Sequence, residues 1–160
     1  MHTTSLRFLA EPSDVNFGGK VHGGSVMKWI DQAGYACAAA WSGQYCVTVY
    51  VGGIRFYHPV RIGQLVEVTA RLVHTGTSSM HIAVDVHAQD VRTGARNKTT
   101  HCIIVFVAVN DAGEPVGVRP WTPDSEEASA LSAYAVRLMD LRKEIEEAMA
   151  PYRGLGGGNP

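Results

Sequence analysis

The stretch Gly23-Gly24-Ser25-Val26-Met27-Lys28-Trp29-Ile30-Asp31-Gln32-Ala33-Gly34-Tyr35-Ala36-Cys37-Ala38-Ala39-Ala40-Trp41 decides the fold. Val26, Met27, Ile30, Ala33, Gly34, Cys37, Ala38 and Trp41 recur at the spacing of one helical face. Alanines fill most of the rest, so the pattern predicts a helix over 25–41 that is apolar nearly all round and therefore buried. Downstream the period changes from 3.6 to 2. Val47, Val49 and Val51 alternate, Gly52-Gly53 interrupts as a bulge, and Ile54 and Phe56 follow. Val66, Val68, Ala70 and Leu72 form a second alternating set, and Met80, Ile82, Val84 and Val86 a third. The run over 99–109 is apolar on both faces at its centre, as an inner strand would be. A short strand over 5–10 precedes the helix. One buried helix followed by several strands is an α+β layout, solved most economically by an antiparallel sheet wrapped around that helix. Such a sheet leaves an edge to cover, so association between copies is expected.

A second helix is predicted over 123–150, capped by Thr122, opened by Pro123 and ended by Pro151. Its apolar stripe is narrow (Leu131, Ala135, Leu138, Leu141, Ile145), which suits packing on its own domain or on a neighbour. The chain thus divides into a main domain over 1–120, a helical extension over 121–151 and a disordered tail over 152–160.

Composition narrows the class. The 160 residues are 46% hydrophobic, ample for a globular core. The formal net charge of −1, with cations scattered, argues against a nucleic-acid partner. No apolar run reaches the ~18 residues of a membrane span, and the first residues lack the apolar core of a secretory signal. Cys37, Cys46 and Cys102 form no CxxC pair and sit in apolar segments, pointing to a reducing cytoplasm.

Chemistry concentrates before and inside the first helix. Glycines at 23 and 24 leave backbone N–H groups uncovered at the positive end of the helix dipole, where they can hold an anion or a developing oxyanion. Asp31 lies about two turns further on among apolar neighbours. A carboxylate buried there costs several kcal/mol unless it is paired or used. Plainer alternatives stay open at this level: Asp31 facing solvent beside Lys28, a simple tight turn at Gly23-Gly24, and a structural Asn16.

The pattern Asn16-x-x-Gly19-x-Val21-His22-Gly23-Gly24-x-x-Met27-x-x-x-Asp31 resembles the hotdog-fold acyl-CoA thioesterases. The nearest branch comprises the bacterial acyl-CoA hydrolases and the cytosolic long-chain acyl-CoA hydrolase of brain. The likeness continues through Phe56-Tyr57-His58-Pro59-Val60-Arg61-Ile62-Gly63, Val73-His74-Thr75-Gly76-Thr77-Ser78-Ser79 and Phe106-Val107-Ala108-Val109-Asn110. It implies a hotdog fold and hydrolysis of an acyl-CoA to a free fatty acid and CoA, with Asp31 as general base or nucleophile. Asn16 would help to hold the water or thioester, and the N–H groups of Gly23 and Gly24 would receive the thioester oxygen. His22 would form a wall of the acyl pocket. Gly76, Thr77, Ser78 and Ser79 would touch CoA, with Arg55, Arg61 and Lys20 as phosphate partners. The likeness further implies a homo-oligomer of dimers, a hexamer first and a tetramer second, with Asn16 and Asp31 meeting across the dimer interface. A hotdog hydratase would need a helix histidine, which is lacking, and a non-catalytic acyl-CoA-binding module would need a fused partner segment. No cofactor is implied. His87, His101 and Asp85 compose a conceivable two-His, one-carboxylate set, but no metal-ligand spacing supports it, so no metal is assigned.

Overall fold

The computed structural model describes residues 2–154. It holds β1 (Thr3–Leu9), α1 (Gly23–Ser42), β2 (Tyr45–Phe56), β3 (Leu65–Thr75), β4 (Ser79–Gln89), β5 (Arg96–Val109) and α2 (Glu126–Met149). The five strands form one antiparallel sheet in the order β1-β3-β4-β5-β2. This is the expected α+β layout, with β1 and β2 as its edges. The bulge foreseen at Gly52-Gly53 is present as a register shift between Gly52 and Arg55, with Gly53 at φ +65°, and a second shift lies between Thr48 and Tyr50.

α1 starts two residues earlier than its apolar pattern does. The His22 N–H donates to the Asp14 carbonyl at 2.8 Å, which ties the chain down where glycine alone would disfavour a helix. Gly43 ends the helix in the left-handed conformation at φ +66°. Ile30, Ala33, Cys37 and Ala38 are sealed against Val66, Val68, Leu72, Ile82, Val84 and Phe106. The helix is not buried all round, however. The sheet covers one side only, and Lys28, Asp31, Gln32 and Tyr35 are exposed on the other.

The sheet's outer face carries α2. Ala135 is fully buried there against Val73, Ala83, Ile103 and Val105, with Leu131 and Leu138 beside it. Asp85, His101 and Tyr134 form a polar clasp across this layer. His101 Nδ1 lies 2.8 Å from the Asp85 carboxylate and Nε2 lies 3.2 Å from the Tyr134 hydroxyl. α2 begins at Glu126 rather than 123. Ser125, not Thr122, is the cap: its hydroxyl accepts from the Ala128 N–H at 3.1 Å. Pro151 falls in a short 3-10 turn, Ala150–Tyr152, and residues 155–160 of the expected tail lie outside the described residues. Among the described residues no helix is long and apolar enough to cross a membrane.

Two stability outcomes follow. A Cβ on Gly34 would stand 2.7 Å from the Phe106 ring and 3.1 Å from Ile104 Cγ2, both buried. Alanine gains at most about 1 kcal/mol of helix propensity, while overpacking costs about 1–3 kcal/mol. Gly34→Ala is therefore expected to lower the midpoint of chemical denaturation. Burial alone would raise the Asp85 pKa, but the hydrogen bonds and charges of His101 and Lys98 outweigh it and hold it at about 2. The unfolded carboxyl titrates near 3.9, so Asp85 contributes stability above pH 4 that disappears as pH falls toward 2. Thermal unfolding between pH 6 and 2 should show a shallower acid limb in Asp85→Asn than in the native chain.

Candidate active site

The loop before α1 is organised by Asn16. Its side-chain oxygen accepts from the N–H groups of Gly18 at 2.9 Å and Lys20 at 3.3 Å. Its backbone N–H donates to the Lys20 carbonyl at 2.7 Å, and Gly19 turns the chain at φ +74°. The side-chain oxygen is thus committed to the loop, which leaves the amide nitrogen as the group able to meet a ligand. An open cleft of about 240 Å³ lies beside it, lined by Asn16, Gly23, Phe56, Tyr57 and His58 among others. The Phe56 ring covers the helix start, 3.5 Å from where a Gly23 Cβ would be. No side chain caps α1, and the N–H groups of Gly23, Gly24 and Ser25 have no partner among the described residues. His22 is the exposed N-cap.

Asp31 sits about 12 Å further along the helix at ~1.5 Å per residue. The expectation that it is buried among apolar groups is wrong for the single chain: Asp31 is exposed. Ile30 on one side and Ala33 on the other take the sheet-facing positions, which rotates residue 31 outward. The ion pair with Lys28 is not formed either. Instead the Thr48 hydroxyl, from β2, donates to Asp31 Oδ1 at 2.5 Å. Thr48 was missed by sequence reasoning. It is one β-branched residue in an alternating strand, and only the β2–β5 register, Thr48 opposite Phe106, brings it to the helix.

The site residues fall into two groups at opposite ends of the sheet. Asn16, His22, Gly23 and Gly24 lie near the Phe56 end of β2. Arg55 is there too, its guanidinium 5.4 Å over the Tyr57 ring. Arg61 borders a shallow exposed depression with Gly18, Gly19 and Lys20. Asp31 and Thr48 lie at the other end. Ser79 pairs with Val107, which pairs with Val47, so the Gly76-Thr77-Ser78-Ser79 turn shares the end of Asp31. A Cβ on Gly76 would stand 2.5 Å from Ser79 Oγ, so a side chain there would require the Ser79 hydroxyl to turn away. Thr48 and Phe56 are opposite Phe106 and Thr100, six residues apart on β5, or about 20 Å at ~3.3 Å per residue. Within one chain Asn16 and Asp31 do not meet.

Several other reactive side chains are engaged or held unreactive by the fold. Burial pushes the Cys37 thiol up to about 11 and the Cys102 thiol up to about 12, and it also raises Cys46, so none is a ready nucleophile. Both ring nitrogens of His101 are taken by Asp85 and Tyr134. Among the described residues no group of three His, Cys, Asp or Glu is arranged to hold a metal.

Residues 18–95 match the thioesterase superfamily. The chain is 37% identical over 113 residues to the acyl-CoA thioester hydrolase YciA of Salmonella typhimurium, spanning 69% of this chain and 85% of that protein. Among solved structures it is similar to an apo hexameric acyl-CoA thioesterase, with a TM-score of 0.85, 30% identity and coverage of 89% and 91% of the two chains. It is also similar to the hexameric thioesterase y2039 of Yersinia pestis, with a TM-score of 0.68, 38% identity and coverage of 71% and 93%.

Proposed function

The chain belongs to the acyl-CoA thioester hydrolases of the hotdog fold, and on that premise we propose that its site is shared by two copies, with Asp31 as the catalytic carboxylate. The reaction is hydrolysis of an acyl-CoA thioester to a free carboxylic acid and CoA. The observation that carries the shared site is the separation of its halves: an exposed Asp31–Thr48 pair at one end of β2 and an uncapped helix start with Asn16 at the other.

β2 is an edge strand that carries Tyr45, Val49 and Phe56, each about half exposed or more. An unpaired edge of this length with apolar side chains invites a second strand. If two β2 edges pair antiparallel about a two-fold axis near Gly52, Thr48 of one protomer faces Phe56 of its partner. Asp31 of one copy then stands beside the Asn16 loop and the α1 start of the other. The thioester oxygen accepts from the N–H groups of Gly23 and Gly24, and the Asn16 amide holds the water or the thioester. Asp31, oriented by Thr48, takes a proton from the water as it attacks the carbonyl carbon. The tetrahedral intermediate collapses with cleavage of the C–S bond, and the proton passes to the thiolate of CoA. Attack by Asp31 itself, through an anhydride that water then opens, uses the same positions. His22, Arg55, Arg61 and the Gly76–Ser79 turn supply the pocket wall and the contacts to CoA. Dimers assemble further into a hexamer, with a tetramer as the second choice. The three protonated core thiols suit the reducing cytoplasm.

Asp31→Asn keeps the volume and loses the charge. It should lower turnover of an acyl-CoA by on the order of 10²–10⁴-fold in a thiol-release assay, with fold and CoA binding retained; turnover near the native rate would refute the assignment. The shared site is tested by mixing. If Asn16→Ala and Asp31→Asn are each inactive, a mixed dimer carries both defects in one site and none in the other. With random exchange half the dimers are mixed, so about one quarter of sites regain native composition. Coexpression should therefore recover near a quarter of native activity. No recovery, with mixed dimers demonstrated by native mass spectrometry, would show that each site is built from one chain.

A further inference from the structure

On the face of the sheet opposite α1, a second cavity of about 240 Å³ lies between α2 and strands β2, β4 and β5. At the β2 bulge the Tyr50 ring lies over Gly52, while Gly53 leaves its part of the wall without a side chain. A Cβ on Gly53 would point at Leu138 Cδ1, 4.0 Å away across the gap. Val105, Leu138 and Ile145 give the cavity an apolar lining, and Ile145 stands half exposed at its lip. Two features break the apolar surface. His81 lines the cavity, is only 3% exposed, and its Nδ1 has no hydrogen-bond partner among the described residues. Buried polar atoms normally hold a partner, and burial itself makes the imidazole neutral by lowering its pKa to about 4. The second is Arg142, also in the lining, whose guanidinium rests 4.5 Å over the Tyr50 ring. Among the described residues its one hydrogen bond runs from Nε to Glu146 at 2.9 Å, which leaves the two terminal amino groups for a ligand.

We propose that this cavity is a binding site for a short- or medium-chain aliphatic carboxylic acid, its alkyl chain beneath α2 and its carboxylate between Arg142 and His81. The volume lies below the ~300 Å³ at which drug-sized sites begin, which excludes CoA and limits the occupant to a slender chain. A single partly neutralised guanidinium with one neutral imidazole suits a singly charged head that accepts hydrogen bonds, and a charge-assisted bond of this kind is strong in an apolar surround. The site lies across the sheet from the Asn16 cleft and is separate from the hydrolytic machinery, although it takes the class of molecule that hydrolysis releases.

The test is titration of the native oligomer with decanoate and with decanol, followed by NMR of the Leu138 and Ile145 methyls and the His81 ring. Saturable shifts at all three positions are expected with decanoate, and binding of decanol at least tenfold weaker. Arg142→Gln should bring decanoate to the level of decanol, a loss of about tenfold or more. The comparison of the two ligands on the native protein needs no variant, and no readout depends on turnover, so the result is independent of the role of Asp31. Absence of shifts at Leu138 and Ile145 up to about 1 mM, equal binding of decanol, or shifts confined to the Asn16 cleft would each overturn the proposal.

Discussion

The structure depends on the seam between α1 and the inner face of the sheet. Along it Ile30, Ala33, Gly34, Cys37 and Ala38 present small or flat surfaces to Val68, Leu72, Ile104 and Phe106. Gly34 allows the helix axis to come close enough that the Phe106 ring occupies the space of an absent side chain. Close packing of this kind permits little rotation of the helix about its axis. Everything else on α1 is therefore aimed by the seam, as a fixed consequence of 100° per residue.

That aiming sets the electrostatics of the site. Asp31 is turned away from the core and toward Thr48, where one hydroxyl fixes the carboxylate and solvent still reaches it. A chain that buried the same residue against the sheet would have to neutralise or pair it. Here the carboxylate stays in contact with solvent in the single chain. The uncapped start of α1 follows the same logic. Its free N–H groups are tolerable while they face an open cleft, and they are available to an oxyanion because glycine leaves them bare.

The outer face obeys a different constraint. Its strands carry polar side chains at alternate positions: Asp85, His87 and His81 on β4, and His101 on β5. α2 can only settle there where these are satisfied or avoided. The Asp85–His101–Tyr134 clasp satisfies one part, and Ala135 with Leu131 covers the apolar patch beside it. Where β2 bulges, the helix bridges a gap, and His81 is left in the wall of a cavity.

Periodicity alone was enough to identify the buried helix, the alternating strands, the Gly52-Gly53 bulge and the need of a one-layer sheet for company. The reaction was suggested by the resemblance of the Asn16-to-Asp31 pattern and the motifs after it to a known family, not by spacing alone. These features were legible because each depends on neighbours within a few residues, where helical and extended geometry convert order into faces. The exposure of Asp31 was not legible, because an apolar neighbourhood in sequence does not say which side of the helix the sheet will take. Nor was Thr48, 17 positions past Asp31 and brought to it only by strand register. The clasp at Tyr134 and the division of the site residues between two ends of the sheet are of the same kind. Each rests on pairings between distant segments, which are chosen by the total burial of the folded chain and so are decided only in the tertiary structure.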